Sequence, residues 1–247
     1  MDTSGKFSQS LQNKRIIIFG GSSGLGLATA KMTAAEGANV VIVSGNQSRI
    51  DNALKELPGG TTGFAVDLSK EENIKQYFTN AGKFDHMVYC AGENLTLHTI
   101  DETDIDEARA FFNVRYWGAF AAVKYGAPHI NSGGSISLIS GTASLRPGAG
   151  WSVASSICGA MEGFVRAMAV ELAPIRVNAV VPGVIKTNLW GSMSESDREG
   201  LYKSQADALL LKRVGESEDI ALAFVYLMKQ SFTTGQNIVV DGGAVLV

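Results

Sequence analysis

The stretch RIIIFGGSSGLGLATAKMTAAEGANVVIV, Arg15 to Val43, decides the architecture. A β-branched run, RIIIF, stops at Gly20. Gly24 and Gly26 follow, a helically spaced segment runs from Gly24 to Glu36, and a second β-branched run begins at Asn39. Strand, glycine turn, helix and strand in so short a span make a β-α-β unit. The glycines permit a tight turn and let backbone N–H groups and the helix N-terminus approach a phosphate with no side chain in the way. A glycine triplet alone also suits a structural turn; the strand before it and the helix after it point to phosphate binding.

Working outward, the same alternation continues. RIIIFG (Arg15 to Gly20), NVVIVS (Asn39 to Ser44), TGFAVD (Thr62 to Asp67), HMVYCAG (His86 to Gly92), GSISLIS (Gly134 to Ser140), RVNAVVPG (Arg176 to Gly183) and NIVVDGG (Asn237 to Gly243) read as strands. Their unbroken hydrophobicity implies burial on both faces, as in a parallel sheet. Helical spacing covers Gly24 to Glu36, Arg49 to Leu57, Thr103 to Ala127, Ser152 to Leu172 and Glu218 to Lys229. Thr103 with Asp106 reads as a capping box, and Pro174 stands where the long helix should stop. No repeat, low-complexity tract or linker divides the chain, so residues 1–247 are expected to form a single doubly wound, Rossmann-type α/β domain with a seven-stranded, mostly parallel sheet. Residues 186–215 are irregular and follow the sixth strand, where ligand-covering lids sit.

Composition excludes several classes. With 45% hydrophobic and 18% charged residues the chain has ample material for a buried core. A net charge of -3, with no Lys/Arg run, offers no surface for nucleic acid. Cys90 and Cys158 lie in apolar surroundings and read as reduced core residues. The opening MDTSGKFSQSLQNKR has no apolar h-region, and no later apolar run is expected to reach the roughly 18 residues that a membrane span needs. Cytoplasmic location, no membrane and no metal are the corresponding expectations.

Taken together, Gly20-x3-Gly24-x-Gly26, Asp67 after the third strand, CAG at Cys90 to Gly92, Asn113 in the fourth helix, PGVIKT at Pro182 to Thr187 and the closing TGQNIVVDGG resemble the short-chain dehydrogenase/reductase family over nearly the whole chain. The resemblance implies a dinucleotide held by Gly20, Ser22, Ser23, Gly24, Leu25 and Gly26. It places Asp67 and Leu68 at the adenine, Ala91 and Gly92 along the cofactor, and Pro182, Gly183 and Thr187 at the nicotinamide end. Two departures stand out: Phe19 where the family has Thr, and YCAG where it has NNAG. Both remove polar groups that tie loops beside the cofactor.

NAD enzymes of this fold place an acid at the end of the second strand to bind the ribose 2'-hydroxyl. Here that position is Ser44, and no Asp or Glu occurs from Gly37 to Ile50. Ser44, Asn46, Ser48 and Arg49 suit a 2'-phosphate instead, so NADP is the expected cofactor, with NAD as the alternative.

In the family the fifth helix carries a Tyr and, four residues later, a Lys, with a Ser thirteen residues before the Tyr. The Tyr protonates the alkoxide left by hydride transfer, the Lys lowers the Tyr pKa and the Ser holds the carbonyl oxygen. The matching positions are Ala154, Cys158 and Gly141, and no Tyr or Lys occurs from Gly126 through Ile185. Asn113 is then the only family catalytic position retained, with Glu93 as a substitute acid. Ser140, Thr142, Ser155, His98 and Lys186 are weaker candidates that also read as ordinary structural or surface residues. Cys158 as a nucleophile lacks a neighbouring base. Small residues at the three positions imply a roomier, apolar cavity with Trp151 at its mouth.

Two functions follow. One is an atypical NADP-linked oxidoreductase acting on a small hydrophobic carbonyl, alcohol or related substrate. The other is a catalytically silent regulatory or scaffold protein that binds the dinucleotide or another small-molecule ligand. The apolar surplus at Met161, Phe164, Val165, Met168 and Leu172, with Trp117, Phe120 and Tyr125 on the preceding helix, joins the resemblance in implying a homodimer or homotetramer.

Overall fold

A computed structural model describes residues 10–95 and 97–247; the first nine residues of the polar opening lie outside them. Strands β1 (Arg15–Phe19), β2 (Asn39–Ser44), β3 (Thr62–Ala65), β4 (Phe84–Tyr89), β5 (Ile130–Ile139), β6 (Arg176–Pro182) and β7 (Asn237–Val240) form one sheet in the order β3-β2-β1-β4-β5-β6-β7. Every pairing is parallel. The order reverses between β1 and β4, and a crevice opens at the carboxyl ends of strands at such a switch point.

The helices are α1 (Gly24–Ala35), α2 (Gln47–Glu56), α3 (Glu71–Ala81), α4 (Ile105–Phe112), α5 (Ala119–Gly126), α6 (Ser152–Glu171), α7 (Glu195–Ala208) and α8 (Ser217–Lys229). Alternate strand residues feed two cores. Ile17, Val41 and Met87 meet Phe78 of α3, Ala122 of α5 and Phe164 of α6. Ile16, Ile18 and Ile42 meet Ala30 of α1, Ile50 of α2 and Phe224 of α8. The two edge strands are the exceptions to burial on both faces: Phe64 on β3 is 46% and Val239 on β7 is 40% exposed. On β4, His86 is buried with Nδ1 2.9 Å from Ser135 Oγ, and burial pushes its pKa down to about 4.

Four expectations are corrected. The Thr103 capping box is absent: Asp104 caps α4 by accepting from the Asp106 and Glu107 N–H groups, while Thr103 Oγ1 donates to the Thr99 carbonyl. The helix expected over Thr103 to Ala127 is interrupted by a π-helical segment, Asn113–Gly118, between α4 and α5. The irregular zone contains α7, started by Ser194 as N-cap to the Asp197 N–H; its weak apolar periodicity hid it, although Ser-Glu-Ser-Asp was a legible start signal. Finally, α6 is long and apolar enough by length and composition to pass as a membrane span. It packs instead against the sheet through Met161, Phe164 and Val165.

Candidate functional site

A cavity of about 500 Å³ opens at the switch point, floored by the β1–α1 loop and by the turn after β4. Its shape is set by glycines. Gly20 has φ +82°, and a Cβ there would lie 2.7 Å from the Ala91 nitrogen. A Cβ on Gly26 would lie 2.2 Å from the Gly20 carbonyl oxygen, so only glycine lets α1 start this close to the strand end. Ser23 at the N-cap makes no side-chain cap bond, and the first turn of α1 holds no acid. Its N–H groups and positive dipole end therefore face the cavity uncompensated.

At the end of β2, Ser22 Oγ donates to Ser44 Oγ over 2.8 Å. Asn46 is the N-cap of α2: its side-chain oxygen accepts from the Arg49 N–H at 2.9 Å, which places the exposed Arg49 in the first turn of that helix. The Asp67 carboxylate accepts from Ser69 Oγ (2.6 Å) and Ser69 N–H (3.0 Å). Those bonds hold its pKa below the usual value.

Beside the β4 turn, the two departures from the family pattern make a new tie. Phe19 and Tyr89 stack with centroids 5.5 Å apart, and Tyr89 Oη donates to the Val114 carbonyl in the π segment at 2.5 Å. A π segment re-aims the residues that follow it. Here Val114 and Arg115 reach the cavity, while Asn113 is exposed outside its lining. Arg115 Nη2 donates to the Glu93 carbonyl, and its guanidinium carbon lies 4.6 Å from the Phe111 ring centre. Gly92 accommodates it: a Cβ there would lie 2.6 Å from that carbon.

The far wall is α6. Ile157, Cys158 and Met161 line it. A Cβ on Gly141 would stand 3.2 Å from Cys158 Sγ. Burial pushes the Cys158 thiol up to about 11, so it stays protonated and is no nucleophile at neutral pH. Behind it, the Glu162 carboxylate accepts from Ser144 Oγ (2.5 Å) and Ser140 Oγ (3.3 Å).

Of the cofactor residues expected from sequence, Gly20, Ser22, Ser23, Gly24, Leu25, Gly26, Ser44, Asn46, Arg49, Asp67, Leu68, Ala91, Gly92, Pro182 and Thr187 all line this one cavity. Gly183 does not; it packs on Asp241, whose Cα a Cβ would approach to 3.0 Å. Glu93 lines the rim, exposed. Asn113, the expected catalytic position, stands exposed at the start of the π segment and is not among the residues lining this cavity. The room expected at Ala154 is filled: Ala154 packs in a cluster with Trp151, Phe111, Phe112 and Tyr116. Of the weaker candidates, Ser155 Oγ donates to the Ala143 carbonyl and Lys186 pairs with Glu216 at 2.6 Å. Arg115 is the residue sequence reading missed. Its only signal was a single cation in an aromatic-rich helix, FFNVRYWGAF.

Comparison with known proteins agrees with this geometry. The family described as Enoyl-(Acyl carrier protein) reductase matches residues 20–245. A short-chain dehydrogenase/reductase, ATR9 of Stachybotrys chlorohalonatus, is 33% identical, the alignment covering 96% of this chain and 98% of the relative. Among solved structures, a small-chain dehydrogenase in complex with NADPH is 34% identical with a TM-score of 0.85, covering 96% of this chain and 100% of the other. The MalC reductase/Diels-Alderase of Malbranchea aurantiaca is 25% identical with a TM-score of 0.88, covering 96% of this chain and 98% of the other.

Proposed function

The chain belongs to the short-chain dehydrogenase/reductase family, and on that premise we propose that it is an NADP-linked oxidoreductase acting on a small, largely apolar substrate by a proton path that differs from the family's. The observation that carries this is the glycine cradle. The Gly20 and Gly26 positions would be filled by a Cβ, and the uncapped α1 N-terminus stands in the same cavity. That arrangement fits a pyrophosphate. Ser44 and the exposed Arg49 at the far end present hydroxyl and guanidinium groups and no carboxylate, which fits a 2'-phosphate. The NADPH held by a structural neighbour supports the same choice.

Bound there, the cofactor supplies or accepts a hydride. The chain's residues do the remainder: Ala91 and Gly92 hold the sheet-side wall, Thr187, Asn188 and Leu189 close it from the other side, and Ile157 and Met161 present an apolar surface. α6 carries neither Tyr nor Lys, so the proton comes from water or from the substrate itself. Losing a positioned proton donor costs a factor of about 10² to 10⁴; substrates that need no donated proton are therefore favoured. Residues 186–215, which include α7, act as the cover in this reading. The exposed Trp117 and Phe120 beside α6 support a homodimer or homotetramer built on that face.

The second reading, a silent dinucleotide-binding protein, draws on Ala154, which is buried in an apolar cluster and offers no proton donor. One calorimetric experiment tests the premise. NADPH is expected to bind in the micromolar range and at least about tenfold more tightly than NADH, with Arg49→Glu removing the preference. Binding of neither overturns the proposal; binding with no hydride transfer across a carbonyl and imine screen selects the silent reading.

A further inference from the structure

Two arginines are largely withdrawn from water, and they are treated differently. Arg176 is structural: its Nη1 and Nη2 donate to the Leu227 and Met228 carbonyls at 2.6 and 2.9 Å, at the C-terminal end of α8. Arg115 has no such satisfaction. One Nη2–H reaches the Glu93 carbonyl, while Nε is buried without a partner. Among the described residues Arg115 makes no ion pair.

No carboxylate among the described residues stands at ion-pair distance from it. The Cys158 thiol is held protonated, the Tyr89 phenol is pushed well above its usual value by burial, and the Glu162 carboxylate already takes two serine hydroxyls. The charge of Glu93 acts favourably on the guanidinium, but its exposed side chain forms no ion pair with Arg115, and it is the Glu93 backbone carbonyl that accepts from Nη2. A withdrawn guanidinium with an orphan donor is costly unless something completes it. It lies on the cavity wall, and Gly92 lacks a side chain where one would strike it.

We propose that Arg115 is the anion-recognising residue of this pocket, and that the substrate is an apolar body bearing one carboxylate or enolate oxygen. The guanidinium pairs with that oxygen, while Val114, Ile157, Met161 and Leu189 take the apolar part. This deepens the oxidoreductase reading and rests on it for the hydride partner, but anion binding stands without the cofactor. It also relocates charge: the cation that the family resemblance puts on α6, at the position of Cys158, comes instead from the π segment.

The test is a calorimetric comparison of benzoate with its neutral isostere benzamide, with and without NADPH, on wild type, Arg115→Met, Arg115→Gln, Arg115→Lys and Glu93→Gln. Benzoate is expected to bind wild type at least about tenfold more tightly than benzamide. Met and Gln at 115 should erase that ratio, Lys should retain part of it, and Glu93→Gln should leave it equal or larger. Thermal melts identify which of the two neutral variants is folded. Equal binding of the two probes, binding of neither, a ratio that survives the neutral variants, or a ratio seen only in Glu93→Gln would each overturn the proposal. Failure of NADPH alone to bind would remove the oxidoreductase reading and leave the probe comparison standing.

Discussion

The two walls of the cavity are built on different principles. The β1–α1 wall works through backbone: glycine φ values, helix N–H groups and a strand end that a Cβ would obstruct. The β5–α6 wall works through side chains, and there Gly141, Ala154 and Cys158 stand at the positions where the resemblance leads one to expect a hydroxyl, a phenol and an ammonium. Backbone recognition tolerates few substitutions because every residue but glycine adds atoms at the wrong place. Side-chain chemistry can be lost, or supplied from another element, without moving the chain. Arg115, delivered by the π segment, shows that second possibility at work next to a wall that has kept its shape.

Breaking the backbone wall should have the largest effect. Gly26→Ala places a methyl 2.2 Å from the Gly20 oxygen, and the loop must move. NADPH affinity is expected to fall at least about 100-fold, with destabilisation of about 3 kcal/mol. A titration and a melt check it, and an Ala variant that binds normally would show that the cradle is not what holds the cofactor.

Next is the support beneath that wall. His86 has its folded pKa lowered to about 4 from 6.5. Above pH 6.5 both folded and unfolded states are neutral at this residue and nothing is lost. As pH falls from 6.5 towards 4 the unfolded state takes up a proton that the folded state refuses, so stability declines, by up to about 3 kcal/mol. Denaturant titrations across that range should show the decline, and His86→Gln should remove this part of it.

The side-chain wall should respond less. Ala154→Tyr inserts a ring into the cluster of Trp151, Phe111, Phe112 and Tyr116, at an overpacking cost of about 1–3 kcal/mol. Restoring Gly141→Ser, Ala154→Tyr and Cys158→Lys together creates carbonyl reductase activity only if that cluster opens. Activity in the folded triple variant would show that the two walls still share the family's spacing. The smallest effect belongs to the tie between β4 and the π segment. Tyr89→Phe removes the hydrogen bond to the Val114 carbonyl, costing about 1 kcal/mol and lowering Tm by about 2–4 °C.

Legibility in the sequence followed the same division. The strands and the cradle could be read from Arg15 to Val43 and its echoes, because β-branched runs and glycines report local backbone needs directly. The edge exposure of Phe64 could not, since a strand's place in the sheet depends on its neighbours. Arg115 could not be singled out, because it lies in a π segment, Asn113–Gly118, that no local pattern announces. α7 was missed because its apolar periodicity is weak and only its cap announces it.

The sequence by itself determined the β-α-β repeat, the phosphate cradle, the absence of an acid at Ser44 and the absence of Tyr and Lys across α6, all of which depend on residue identity and short spacing. Only the tertiary structure decided that Phe19 and Tyr89 replace lost polar ties by stacking, that Ala154 is packed rather than open, and that Arg115 rather than Asn113 enters the cavity. Those outcomes depend on which side chains meet across strands and helices distant in sequence, and on a helical register that no local pattern encodes.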